Sequence, residues 1–152
     1  MLKVSEILRV KGDVLYTISP DDTVEHAVQL MSEQDLGSLV VIEHGELAGM
    51  LTFREIIRFL NQKKDPANST IRWIMDDHPI SVTPNTEVAE VQRLMLDLHL
   101  RYVPVLDGPT LQGVISFYDM ARALIDLEQF ENNMLKAYIK HWPDDEKEDT
   151  EQ

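Results

Sequence analysis

Two seven-residue stretches lie 64 residues apart and agree in kind at most positions: Gly49-Met50-Leu51-Thr52-Phe53-Arg54-Glu55 and Gly113-Val114-Ile115-Ser116-Phe117-Tyr118-Asp119. Each runs glycine, two apolar residues, a hydroxyl, phenylalanine, a polar residue and a carboxylate. The likeness extends without a gap from Thr17/Ser81 to Ile57/Ala121, matching Ser19-Pro20 with Thr83-Pro84, Met31 with Met95 and Leu47 with Leu111. Self-similarity at one fixed offset means one supersecondary unit used twice, each copy burying the other's apolar face. Each heptapeptide follows a short apolar run and precedes a helical pattern. It therefore reads as a strand that ends directly in a helix, where a hydroxyl and free N–H groups can meet an anion.

The first copy starts with a helical turn at Val4, Ile7 and Leu8, a turn at Lys11-Gly12-Asp13, and a strand over Val14 to Ile18. Asp22 and Glu25 stand at capping-box spacing before an amphipathic helix carrying Val24, Ala27, Val28 and Met31. Strands over Leu39 to Ile42 and Leu47 to Leu51 flank a turn at Gly45, and a helix from Phe53 has Phe53, Ile56, Ile57 and Leu60 as its apolar stripe. After a polar linker, Ile71, Ile74 and Met75 echo Val4, Ile7 and Leu8. A strand over Ile80 to Val82 follows, then a helix with Val88, Val91, Met95 and Leu98. Strands over Tyr102 to Leu106 and Leu111 to Ile115 precede a last helix from Phe117. The expected units are residues 1–65, residues 66–125, a helical extension over 126–143 whose apolar residues suit a dimer surface, and an acidic, disordered tail over 144–152.

The net charge of −13, or −8 without that tail, argues against nucleic-acid binding, which needs a basic patch. No apolar run reaches the ~18 residues needed to span a bilayer, and no leader pattern stands at Met1, so the expected location is cytoplasmic. Zero cysteines exclude disulfide and thiolate chemistry, and the five histidines show no metal-ligand spacing. No nucleophile-and-base pairing or phosphate loop stands out, so the chain reads as a non-enzyme. Arg54 and Arg101 suit phosphate, since a guanidinium forks onto its oxygens, or equally an ion pair with nearby acids. Thr52-x-x-Glu55 and Ser116-x-x-Asp119 suit a ligand or a helix-capping box. The shorter Asp119 is the freer of the two carboxylates and Glu55 the better cap.

The tandem unit, with its Ser-Pro, helix, Val103-Pro104-Val105 and Gly-h-h-Ser-x-x-Asp trail, resembles the cystathionine-β-synthase (CBS) domain pair over roughly residues 1–125. The resemblance implies an α/β (α+β) fold of tandem CBS domains, each β-α-β-β-α, related by a pseudo-twofold. It implies an adenine nucleotide held between the repeats and a homodimer packed through paired helices. The motif hydroxyl is expected on phosphate and the carboxylate on the ribose diol. Those roles fall to Ser116 and Asp119, with Ile115 and Tyr118 beside them, completed from the first repeat by Val14, Leu15, Tyr16, Gly37, Ser38 and Leu39. The second such cleft comprises Thr52, Arg54 and Glu55, with Ile80, Ser81, Arg101, Tyr102 and Val103. Glu55 departs from the usual aspartate, and Val40 stands where the second copy has Pro104. The acidic body favours few phosphates, hence AMP ahead of ADP, ATP, NAD or S-adenosylmethionine, and a regulatory role toward some further protein. The competing expectation is a ligand-free dimerisation scaffold.

Overall fold

The computed structural model describes residues 1–12 and 14–140. In chain order the elements are α1 (Val4–Lys11), β1 (Thr17–Ile18), α2 (Val24–Glu33), β2 (Ser38–Glu43), β3 (Glu46–Thr52) and α3 (Phe53–Asn61). Two 3-10 turns (Pro66–Asn68 and Ile71–Trp73) lead to α4 (Val88–Leu98), β4 (Tyr102–Asp107), β5 (Thr110–Ser116) and α5 (Phe117–Lys140). The result is a mixed α+β fold with two small sheets, β1-β2-β3 and β4-β5. No helix among the described residues is long and apolar enough to cross a membrane.

The duplication is reproduced in the strand register. Ser38 faces Thr52 and Val41 faces Gly49; 64 residues on, Tyr102 faces Ser116 and Val105 faces Gly113, with the same register shift after Val41 and Val105. The β1–β2 pairing of Ile18 with Val41 returns as a single parallel bridge between Val82 and Val105.

The lead segments, by contrast, cross over. Val4 N donates to Thr86 O (3.0 Å), Ser5 N to Pro84 O (3.0 Å), and Val88 N to Leu2 O (2.9 Å). The mirror set is Ile71 N to Asp22 O (3.0 Å), Arg72 N to Pro20 O (2.8 Å), and Val24 N to Ser69 O (2.9 Å). Val4 and Ile7 accordingly close the core of the second repeat with Val91, Met95, Val103, Ile115 and Met120. Ile71 closes that of the first with Ile18, Ala27, Met31, Leu39 and Leu51. Val40, Met50 and Val114 join the two sheets. The motif glycines follow from the crossing. A Cβ on Gly49 would lie 2.6 Å from Asp76 O, and one on Gly113 would lie 2.9 Å from Leu8 Cδ2, so each glycine admits the lead segment lying against its strand.

Several local expectations change. Only Thr17 and Ile18 of the expected Val14–Ile18 strand pair as a strand, and Ile80–Val82 forms none beyond the Val82 bridge. Helix α2 is capped by Thr23, whose Oγ1 accepts His26 N (3.0 Å), not by an Asp22/Glu25 box; Asp22 holds Thr23 N (2.8 Å) and His26 Nδ1 (2.6 Å) instead. The stripe on α3 is turned over. Phe59 and Glu55 are buried, whereas Phe53, Ile57 and Leu60 are exposed, since this helix is apolar on two faces and only one meets the core. Leu98 likewise leaves the buried face of α4. The extension from residue 126 is a direct continuation of α5, with Leu127, Phe130, Met134, Leu135 and Ile139 exposed. Asp13, Trp142 and the acidic tail over 144–152 lie outside the described residues.

Candidate functional site

Both heptapeptides form the strand-to-helix junction expected of them, and both junctions are capping boxes built in different ways. At the start of α3, Thr52 N donates to Glu55 Oε1 (3.2 Å), and Thr52 Oγ1 donates to Oε1 (3.0 Å) and Oε2 (3.2 Å) while accepting Arg54 N (3.2 Å). Both carboxylate oxygens and the hydroxyl proton are used internally, and Glu55 is only 8% exposed. Burial pushes its carboxyl above the ordinary 4.5, with Asp76 adding to the effect against the lowering by the Thr52 hydrogen bonds and Arg54.

At the start of α5, Ser116 N donates to Asp119 Oδ2 (2.8 Å), but Ser116 Oγ only accepts, from Asp119 N (3.0 Å). Among the described residues no hydrogen bond uses the Ser116 hydroxyl as donor or Asp119 Oδ1 as acceptor. Asp119 is thus a cap as well as Glu55, contrary to the expectation that its shorter side chain leaves it free. What distinguishes it is the unused oxygen. Its Oδ2 also takes a hydrogen bond from Lys11 Nζ (2.7 Å), which donates in addition to Val114 O (2.7 Å).

A cavity of about 990 Å3 opens between the repeats on the Thr52 side. It gathers Thr52, Arg54, Glu55, Ile80, Arg101 and Tyr102, six of the eight residues expected for that cleft; Ser81 and the fully buried Val103 do not line it. Sequence reasoning missed Arg58, Asp76, Asp77, His99 and Phe117 in its wall. Arg54 forms no ion pair among the described residues; its Nη2 donates to His99 O (3.0 Å), where α4 ends in a left-handed turn. Three guanidiniums, three carboxyls and the aromatic rings of Phe53, Tyr102 and Phe117 make this a polar cavity with flat apolar surfaces.

Of the residues expected around Ser116, Ile115 and Leu39 are core residues, while Val14 and Tyr118 are largely exposed and Leu15 and Tyr16 partly so. The Tyr16 hydroxyl pairs with Gln34 (3.2 Å). Gly37, next to Ser38 at the start of β2, is required by packing, since a Cβ there would overlap the Tyr102 phenol. That phenol has its pKa raised, chiefly by burial. Lys11 is the cleft residue that the sequence did not reveal, because 108 residues separate it from Asp119.

Glu55→Gln is expected to gain stability over the parent as pH rises above 4.5. The raised pKa means the folded state holds a proton that the unfolded chain has lost, so stability contributed by protonated Glu55 disappears as pH climbs through its folded value. Melting temperatures of both proteins at pH 4 and pH 7 check this; a difference that stays constant with pH contradicts it.

With this geometry described, the comparisons are direct. The family model described as CBS domain matches residues 4–62 and 70–126. The CBS domain-containing protein CBSX3, mitochondrial, of Arabidopsis thaliana is 32% identical over 147 residues, spanning 90% of this chain and 71% of that protein. A solved CBS domain structure superposes with a TM-score of 0.78 at 29% identity, covering 82% of this chain and 99% of the other. The crystal structure of CBSX2 in complex with AMP shares the fold at a TM-score of 0.71 and 22% identity, over 84% and 99% of the two chains. The chain belongs to the CBS domain family and is built as that family's regulatory module, a tandem pair.

Proposed function

We propose that this CBS pair senses a small adenine nucleotide, AMP first, held between its repeats with Ser116 toward the phosphate and Asp119 toward the ribose diol. The observation that carries the reading is the difference between the two boxes. The Ser116 hydroxyl keeps its proton for a phosphate oxygen and Asp119 keeps Oδ1 for a diol, whereas Thr52 and Glu55 satisfy one another. A solved member with AMP bound supports the ligand class. The Thr52 cavity is the second site. Arg54, Arg58 and Arg101 there suit the phosphate of a nucleotide, and Phe53, Tyr102 and Phe117 offer faces to an adenine. Occupancy matters for regulation only if the ligand binds two conformations unequally. Assembly is as a homodimer through the exposed apolar faces of α3 and α5.

Calorimetric titration with AMP tests the assignment. Asp119→Ala is expected to weaken binding by at least ~1.5 kcal/mol, roughly tenfold or more, the lower end for a hydrogen bond to a charged group. Glu55→Ala is expected to cost less in binding and more in helix stability, since it removes the more buried cap, both of whose oxygens are used by Thr52. The opposite ranking would assign the ribose to the other cleft.

A further inference from the structure

Lys11 ends α1, the helix that opens the first repeat in sequence but packs on the second in space. Its ammonium and Ser116 N donate to the same oxygen, Asp119 Oδ2, at 2.7 and 2.8 Å. The side chain of Asp119 is 16% exposed and that of Lys11 is 34% exposed, so the pair is sheltered at the carboxylate and open at the cation's outer side. Among the described residues, Glu55 accepts no hydrogen bond from a cation. His78, which corresponds to Lys11 when the two lead segments are aligned on Val4 and Ile71, pairs with its neighbour Asp77 (2.9 Å) and points to solvent. The asymmetry is therefore specific to the Ser116 side.

A ribose diol has two O–H donors and is held most fully when each meets its own oxygen of the carboxylate. Oδ1 is open, but Oδ2 already accepts from Lys11 and from Ser116 N, leaving no lone pair well directed for a third donor. A ligand reaching for both oxygens must displace the ammonium. An uncharged nucleoside would leave Lys11 with only the Val114 carbonyl. A phosphate offers it a better partner, and that phosphate would sit by Ser116, one shared oxygen away from the ammonium. The four-carbon stem of lysine is long and flexible enough for such a turn, and Gly12 follows it at φ 90°, ending the helix at that point.

We infer that Lys11 is a specificity-determining residue, a competitor for the ribose subsite that exchanges from Asp119 to the ligand's phosphate and so makes the cleft prefer a nucleotide over its nucleoside. The inference rests on the reading that Asp119 takes the diol, and it adds a discrimination step to that reading. The exchange breaks no covalent bond; one ammonium changes its anionic partner.

Adenosine and AMP, titrated calorimetrically into the full chain and into Lys11→Met, test it. Methionine keeps an unbranched apolar stem of similar length without the charge. The variant is expected to bind adenosine about five- to tenfold tighter, in line with the loss of a partly exposed, charge-assisted hydrogen bond that the ligand no longer has to displace. Its preference for AMP over adenosine is expected to fall by about tenfold or more, and Lys11→Arg, which keeps a cation, is expected to retain most of that preference. Adenosine affinity that is unchanged or weaker in Lys11→Met, or an AMP preference that survives it, overturns the inference. If Asp119→Ala weakens AMP while Lys11→Met leaves adenosine unchanged, only the exchange fails. If Asp119→Ala binds AMP as the parent does, the diol assignment fails and the exchange falls with it.

Discussion

Ile71→Ala is expected to lower the folding stability by about 2–5 kcal/mol, the range for emptying a fully buried aliphatic site. Against the ~5–15 kcal/mol total of an ordinary domain, that is a large share from one residue in a 3-10 turn. The reason is the crossing. Ile71 lies beyond the linker in sequence, yet it fills the core formed by α2, β2 and β3, and its backbone N–H holds Asp22 O (3.0 Å). Urea denaturation is expected to show a lower midpoint with an unchanged slope, the signature of a changed stability and not of a changed unfolded state. Hydrogen exchange adds the distinguishing readout: amides of residues 24–51 are expected to lose protection before those of β4 and β5. Loss confined to residues 69–75 would mean that the turn is an accessory and that the first repeat closes without it.

Phe130→Glu is expected to convert the proposed dimer to monomer. The first turns of α5 pack Met120 and Ala123 on the second repeat, and the same side of the helix continues as Leu127, Phe130 and Met134, all exposed. A surface that matches the core in chemistry but covers nothing in its own chain suits a second copy. In a twofold interface each substitution occurs twice. An aromatic anchor is worth about 2 kcal/mol or more, so a loss of roughly 4 kcal/mol, near a thousandfold in the dissociation constant, is expected. Sedimentation velocity at micromolar concentration checks it. A parent chain that already sediments as a monomer removes the dimer altogether.

The gapless offset of 64 carried most of the fold, because strand pairing depends on local alternation and on a turn, and both were duplicated. The strands over Leu39 to Ile42 and Leu47 to Leu51, and over Tyr102 to Leu106 and Leu111 to Ile115, were therefore legible, while their register, Ser38 with Thr52 and Tyr102 with Ser116, came only with the fold. The crossing of Val4 and Ile71 was not. Two short apolar patterns separated by 67 residues show that they are alike, not which core each enters. Helix α3 misled for another reason: with Phe53, Ile57, Phe59 and Leu60 all apolar, periodicity alone could not decide which side met the core, and the reading of Glu55 as a cap carried no sign that it would be buried. The site followed the same division. Thr52, Arg54 and Glu55 of the first heptapeptide, with Arg101 and Tyr102, line the cavity as expected, while Arg58 and Asp76 in its wall and Lys11 beside Asp119 come from positions whose approach only the folded chain defines.

The exchanged lead segments also bear on the order in which the protein can be made. As the chain leaves the ribosome, the first repeat has all its own strands by Thr52 but cannot complete its core until Ile71 has emerged. The second repeat has the reverse problem. The pieces it lacks, Val4 and Ile7, were synthesised first and must stay available until Val88 to Met120 arrive to receive them. The two halves are thus fastened by the exchanged lead segments, which favours a single cooperative unfolding transition over two independent ones. Losing residues 1–12 would therefore fall on a core whose other buried members lie between Val82 and Met120.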